Sequence, residues 1–253
     1  MTATPPRAPG EMTLLEHLEE LRSRLLKMAY GIVAGFGISY YYSQRILDFF
    51  LAPLRKALPP GSTFQFTDVV EPFFVHLKLS LLAGFFAASP WVFYQAWKFV
   101  APGLYPTERR LVLPFVLSST LLFTVGAVFC FHNVFPVAFE YLVGAFAGPD
   151  LRAMPRLGEY FSFATKMLLA FGVVFELPLV CFFLGRLGML TGRGMLGAWR
   201  YVIVGSFLVA GILTPGPDVA SQALLAGPIL LLYAISTVLV WFTGVEREEA
   251  RAP

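Results

Sequence analysis

The sequence predicts an all-α, polytopic membrane protein of six transmembrane helices, and three observations lead there. Hydrophobic residues make up 57% of the 253, charged residues only 14%, and the mean hydropathy is +0.69, far from the composition of a water-soluble domain. Six apolar runs follow one another, at about Leu25–Tyr42, Phe73–Val100, Leu111–Phe131, Phe161–Leu187, Val202–Leu213 and Ala223–Phe242. Most hold the roughly 20 residues that cross a hydrocarbon core about 30 Å thick. With the N-terminus placed inside, twelve of the 19 Lys and Arg residues fall on the cytoplasmic side and five outside, so both termini are expected in the cytoplasm.

The organisation expected is a Pro-rich disordered tail over 1–12, one membrane domain over 13–243 and a cytoplasmic tail over 244–253. No cleavable signal sequence is read before the first run. Thr13-Leu-Leu-Glu16 fits a capping box opening a helix. Leu14, Leu18, Leu21 and Leu25 then recur on one face of that helix, and His17, Glu20 and Arg24 form a polar row on its flank. Glu16 reads as a cap. Glu20 has two readings: half of an i,i+4 pair with Arg24 worth a few tenths of a kcal/mol, or a functional carboxylate on that polar row.

The segment Pro90–Arg110 carries the densest information. Its apolar part ends in Trp91, Phe93, Tyr94, Trp97 and Phe99, aromatic residues of the kind that settle at a membrane–water boundary. Pro102, Gly103 and Pro106 then restrict or redirect the backbone, and Glu108 follows beside Arg109 and Arg110. The expectation is a rigid platform presenting a carboxylate at the membrane surface.

Glu176 is the one carboxylate deep inside a run, at a cost of at least about 2.5–3.5 kcal/mol on insertion scales. Lys78 and Lys166 lie near run ends, where their stems can reach the interface. Pro178 removes a helix hydrogen bond two residues after Glu176, which predicts a kink. Glu176 either lines a polar concavity or is a protonated acid bonded to a neighbouring helix.

The last two spans read as short and broken: Thr214-Pro-Gly-Pro-Asp218 turns tightly, Ser221 and Gln222 open the sixth run, and Gly227-Pro228 interrupts it. Thr214 and Gln222 then sit either at hydrocarbon depth or in a plain capped turn. The outer stretches Ser43–Glu71 and His132–Tyr160 are long and half apolar, and predict short amphipathic helices capping the bundle from the periplasm.

Other chemistries find little support. Cys130 and Cys181 read as packing residues, and His17, His76 and His132 are scattered without ligand spacing. Gly192-Arg-Gly194 lacks the spacing and the Lys-Ser/Thr pair of a phosphate loop. No catalytic set, metal, cofactor or nucleic-acid partner is expected. An intramembrane protease would need a Ser with a His, or an Asp pair, in the spans. A secondary transporter of a small solute is the alternative that an intramembrane carboxylate keeps open, but it should show two related halves, and the Phe-Glu-x-Pro pattern occurs once.

An ordered set of motifs resembles the TatC family, the multi-spanning receptor subunit of the twin-arginine protein translocase. The set runs from His17-Leu-Glu-Glu20-Leu-Arg22-Ser-Arg24-Leu through Ala52-Pro53-Leu54 and Glu71-Pro72-Phe73. It continues with Tyr94-Gln95-Ala-Trp97-Lys-Phe99, Pro102-Gly103-Leu104-Tyr105 and Glu108-Arg109-Arg110, then Phe175-Glu176-Leu-Pro178 and Thr214-Pro to Ser221-Gln222. Gly216 is an insertion relative to the Thr-Pro-Pro-Asp turn expected in some members.

The resemblance implies that Glu20, Arg22, Phe99, Leu104, Glu108 and Arg109 form a surface for the paired arginines of signal peptides on folded cargo. It places Glu176 on a concave intramembrane face, and Thr214 and Gln222 where single-span TatA-type and TatB-type subunits dock. It further implies a location in a prokaryotic inner membrane, assembly with copies of its own kind, and the proton gradient as energy source. The chemistry is consistent, since two carboxylates facing two planar guanidinium groups form charge-assisted hydrogen bonds that favour Arg over Lys.

Overall fold

The computed structural model describes residues 14–57, 64–65, 68–100, 112–146, 156–214 and 219–243. Ten α-helices are described: α1 Leu14–Tyr41, α2 Ser43–Ala57, α3 Glu71–Val100, α4 Val112–Phe129, α5 Phe135–Phe146, α6 Leu157–Phe175, α7 Leu177–Arg186, α8 Gly192–Gly197, α9 Trp199–Leu213 and α10 Val219–Thr243. A π-helical turn, Cys130–Val134, joins α4 to α5. No strand occurs among the described residues, only one parallel bridge between Gln65 and Arg156.

Four helical segments are long and apolar enough to cross a membrane: Glu71–Val100, Val112–Tyr141, Leu157–Arg186 and Val219–Thr243. The protein is therefore a multi-pass membrane protein. The amphipathic N-terminal helix and the first apolar run are one continuous α1 of 28 residues, long enough to span but more polar in its first half. α9 has 15 residues, about 22 Å, and is short as expected. α10 is not: it runs 25 residues through Pro228 without a break, about 37 Å, so only one of the last two apolar helices is short. The third run also extends beyond Phe131, because the π-turn carries the chain on into α5 rather than into a loop. Pro136, which has no N–H to give, falls just after that change of register.

α1 and α3 pack antiparallel at backbone distance. A Cβ on Gly84 would meet the backbone of Gly35 and Phe36, and one on Gly35 would lie 2.5 Å from the Gly84 carbonyl oxygen. Small residues at a crossing let dispersion contacts form where lipid supplies no hydrophobic drive. α4 and α6 meet in the same way, with Phe123 over Gly172 and Phe171 and Phe175 over Gly126. The core between these pairs is aromatic, with Phe123, Phe135, Phe161 and Phe171 almost fully enclosed. Cys130 and Cys181 are buried free thiols, as packing residues should be.

The two expected capping helices are present as α2 and α5. Leu51 and Leu54 of α2 are buried, Phe49 stacks on Phe131 with centroids 4.7 Å apart, and Phe139 of α5 joins the core. Glu71 Oε1 accepts the Gly158 N–H at 2.6 Å, so the first turn of α3 caps the first turn of α6. The Tyr160 hydroxyl donates to the Phe50 carbonyl at 2.6 Å, and the Leu157 N–H to the Gln65 carbonyl at 3.1 Å. Lys78 and Lys166 point outward, as snorkelling residues should.

The α1–α3 crossing yields a direct expectation. Gly84→Ala forces two backbones apart and should cost about 1–3 kcal/mol, read as a lower melting temperature in detergent. Gly37→Ala, on α1 two residues past Gly35 and with nothing within 4 Å of the added Cβ, should leave melting unchanged or raise it. Equal melting of the wild type and Gly84→Ala would disprove the close crossing.

Candidate functional site

The polar row of α1 packs against the last turns of α3, and the side chains meet in order. At the tip, His17 stacks on Phe99, with ring centroids 4.5 Å apart and planes 18° from parallel. Next, Arg24 Nη2 donates to Glu20 Oε1 at 2.9 Å, while its Nη1 donates to Gln95 Oε1 at 3.1 Å. One turn deeper, the Trp91 indole N–H donates to the Lys27 carbonyl at 2.8 Å, and its ring lies over Gly31. Trp91, Gln95 and Phe99 recur every four residues, so one stripe of α3 reads one stripe of α1.

Glu20 thus makes the pair with Arg24 that spacing allows, but the pair is not the whole of its setting. Its side chain is 18% exposed and that of Arg24 15%, so this is not a solvated surface bridge of negligible worth. Arg24 is divided between Glu20 and the fully buried Gln95. Glu20 Oε2 is enclosed and has no hydrogen-bond partner among the described residues. The carboxylate is held by one oxygen and keeps acceptor capacity on the other.

Arg22 projects exposed from the same helix, and Phe99 lies half-buried under His17. Leu104, Glu108 and Arg109 lie outside the described residues, as does Thr13 of the expected capping box. The structure therefore brings Glu20 and Phe99 together and adds His17, Arg24 and Gln95. The four-residue spacing of Trp91, Gln95 and Phe99 is the signal in the sequence that could have found Gln95.

Glu176 stands at the break between α6 and α7. Its N–H closes a tight turn onto the Val173 carbonyl at 3.0 Å, and Pro178 occupies the first turn of α7, so regular helix is interrupted at this residue, where the sequence predicts a kink. The carboxyl lies beside Ser119 and the backbone of Phe123 on α4. These are 7 and 11 residues from the start of α4, about 10–17 Å along its axis. Ser119 also accepts the Trp97 indole N–H at 2.9 Å. A polar chain therefore descends from the end of α3 through Ser119 to Glu176. Glu176 Oε1 is enclosed without a hydrogen-bond partner among the described residues.

Thr214 is half-buried and donates back to the Ala210 carbonyl at 3.0 Å. Gln222 is half-buried on the facing turn of α10, its amide against Gly211 of α9. The two residues lie at the same end of the α9–α10 pair. Residues 215–218 between them are not described. The described residues hold no group of three or more His, Cys, Asp or Glu able to bind a metal.

The family model described as "Sec-independent protein translocase protein (TatC)" matches residues 16–228. The Sec-independent protein translocase protein TatC of Desulforapulum autotrophicum is 44% identical over 223 residues, covering 88% of this chain and 82% of the relative. Its namesake from Escherichia coli K12 is 40% identical over 239 residues, covering 93% and 92%. Among solved structures, one titled "Crystal Structure of Twin Arginine Translocase Receptor- TatC" superposes with a TM-score of 0.80 at 37% identity, covering 89% of this chain and 98% of that one. A match across most of both chains, at this identity and in the same helical arrangement, places the chain in the TatC family of protein translocase components.

Proposed function

We propose that this chain is the receptor subunit of a twin-arginine translocase: it binds paired-arginine signal peptides at its cytoplasmic face and helps move folded cargo across the prokaryotic inner membrane. The observation that carries the reading is Glu20, fastened through Oε1 to Arg24 while Oε2 has no partner among the described residues. A guanidinium brings a fork of donors to such an oxygen. Arg22, Phe99, Leu104, Glu108 and Arg109 complete the surface in this reading, with Glu108 as the second carboxylate. The orientation rests on the distribution of basic residues, with six spans from α1 to α10 and both termini inside. Energy comes from the proton gradient, and no catalytic residue is invoked.

Glu176 has the role of a polar group on a concave intramembrane face, supported by the break at Glu176 and by the chain from Trp97 through Ser119. Docking of TatA-type and TatB-type single-span subunits near Thr214 and Gln222 is supported by the short α9. Its Tyr201, Val204, Leu208 and Ile212 form an apolar stripe 62–72% exposed. Assembly with further copies of the chain belongs to the same reading.

Removing one partner of a partly desolvated, charge-assisted hydrogen bond costs about 1.5–3 kcal/mol, or roughly ten- to a hundredfold in affinity. Glu20→Gln and Glu108→Gln should each weaken binding of a twin-arginine peptide by that factor, and Glu16→Gln should not. Binding should occur on inside-out vesicles, not right-side-out ones, and weaken as salt rises. Undiminished affinity in the double Gln variant at low salt, on folded protein, would refute the assignment.

Glu176→Gln keeps shape and hydrogen bonding, so it should fold and bind peptide while export of a folded reporter falls. A fully active Glu176→Leu variant would remove the role. In the same membranes a photo-crosslinker at Gln222 should capture a single-span subunit, and lipid adducts alone would exclude docking there.

A further inference from the structure

On the lipid-facing side of the outer half, a groove of about 450 Å³ runs between α2, α3, α4 and α6. Phe49, Phe131, Arg45 and His132 line its rim end, at α2 and the π-helical turn, and Phe86, Thr124 and Leu168 line it further along the spans. From His132 back to Thr124 is eight residues of helical path, about 12 Å, so the groove reaches from the interface well into the hydrocarbon region. Val125 and Val128 beside it are 44% and 51% exposed, and Phe49 57%, which opens this face to lipid. Tyr40, Tyr41 and Tyr42, all exposed, mark the interface just before Arg45.

The chemistry of the walls selects the occupant. Thr124, the hydroxyl among the deeper lining residues, already donates to the Thr120 carbonyl at 2.7 Å, so it offers no donor to a guest. A polypeptide entering at this depth would leave its backbone groups unpaired; a hydrocarbon chain has none. The rim is different. Arg45 lies over the Tyr42 ring at 5.9 Å and makes no ion pair among the described residues. An adjoining cavity of about 570 Å³ shares Phe49, Phe131 and His132 and adds Lys56 and Glu140.

Asp48 is committed to Arg55 at 3.4 Å. Arg45 and Lys56 against Glu140 leave one positive charge, matching one phosphodiester. We infer that this groove is a binding site for an anionic phospholipid of the outer leaflet. One acyl chain lies along Phe86, Thr124 and Leu168, and the phosphate is held at Arg45 and His132. The bound lipid fills the angle between the capping helix α2 and the spans α3 and α4, and so fastens the cap to the bilayer at a defined place.

The test uses the full chain in phosphatidylcholine nanodiscs holding a small fraction of phosphatidylglycerol with a photoreactive group near the end of one acyl chain. Labelling should concentrate on the peptides containing Phe86 and Thr124–Val128. Unlabelled phosphatidylglycerol should compete and inorganic phosphate should not. Arg45→Gln should lower the yield several-fold. Thr124→Phe, at an exposed position where the added ring fills the groove, should abolish it with melting temperature unchanged. Labelling spread evenly over all lipid-facing helices would overturn the site. So would equal yield from a phosphatidylcholine probe, displacement by phosphate, or full labelling of both variants.

Discussion

Everything at the end of the molecule that carries Glu20 depends on how closely α1 approaches α3. Gly35 and Gly84 bring the two backbones into contact near the middle of α3, and from there the helices run as a seam to their shared end. Trp91 closes over Gly31, Arg24 reaches Gln95, and His17 stacks on Phe99. A larger residue at the crossing would move α1 as a rigid body, and Glu20 would move with it. The position of one carboxylate at the surface is thus set by two missing side chains some 22 Å away along the helix, at 1.5 Å per residue.

A second constraint is the need of every polar group in lipid for a partner. Most hydroxyls in the spans answer it locally: Ser80, Thr120, Ser236 and Thr237 donate to the carbonyl four residues earlier. The exceptions tie elements together. Glu71 serves α6 from α3, Tyr160 binds α2, and Trp97 joins α3 to α4 through Ser119. Glu20 and Glu176 each retain an enclosed oxygen without a partner among the described residues. Both are carboxylates, and an acceptor left in that condition is costly. Under the function proposed above, cargo or a partner subunit is what satisfies them.

What was legible in the sequence was whatever depends on local pattern. The apolar runs located the helices, Pro178 located the break at Glu176, and the half-apolar outer stretches located α2 and α5. Where the reading went astray, tertiary context overrode a local signal. Gly227-Pro228 looked like an interruption, yet α10 passes through it. The end of the third apolar run looked like a helix terminus, yet a π-turn carries the chain onward. The candidate site was half legible. Glu20 and Arg24 are visible as an i,i+4 pair, but that Arg24 is shared with Gln95, 71 residues away, follows only from the packing of α3. The cap of Glu71 on α6 was hidden for the same reason: its partner is a backbone N–H 87 residues distant.

The central claim is that Glu20 recognises a guanidinium, and a double-mutant cycle tests it most directly. Affinity would be measured for wild type and Glu20→Gln, each with a twin-arginine signal peptide and with the peptide carrying Lys in place of one arginine. If Glu20 meets that arginine, the Arg→Lys penalty seen with the wild type shrinks in Glu20→Gln for one of the two arginines. The coupling energy should be about 0.5–3 kcal/mol, as for residues in contact. Penalties that simply add at both arginine positions would contradict the account.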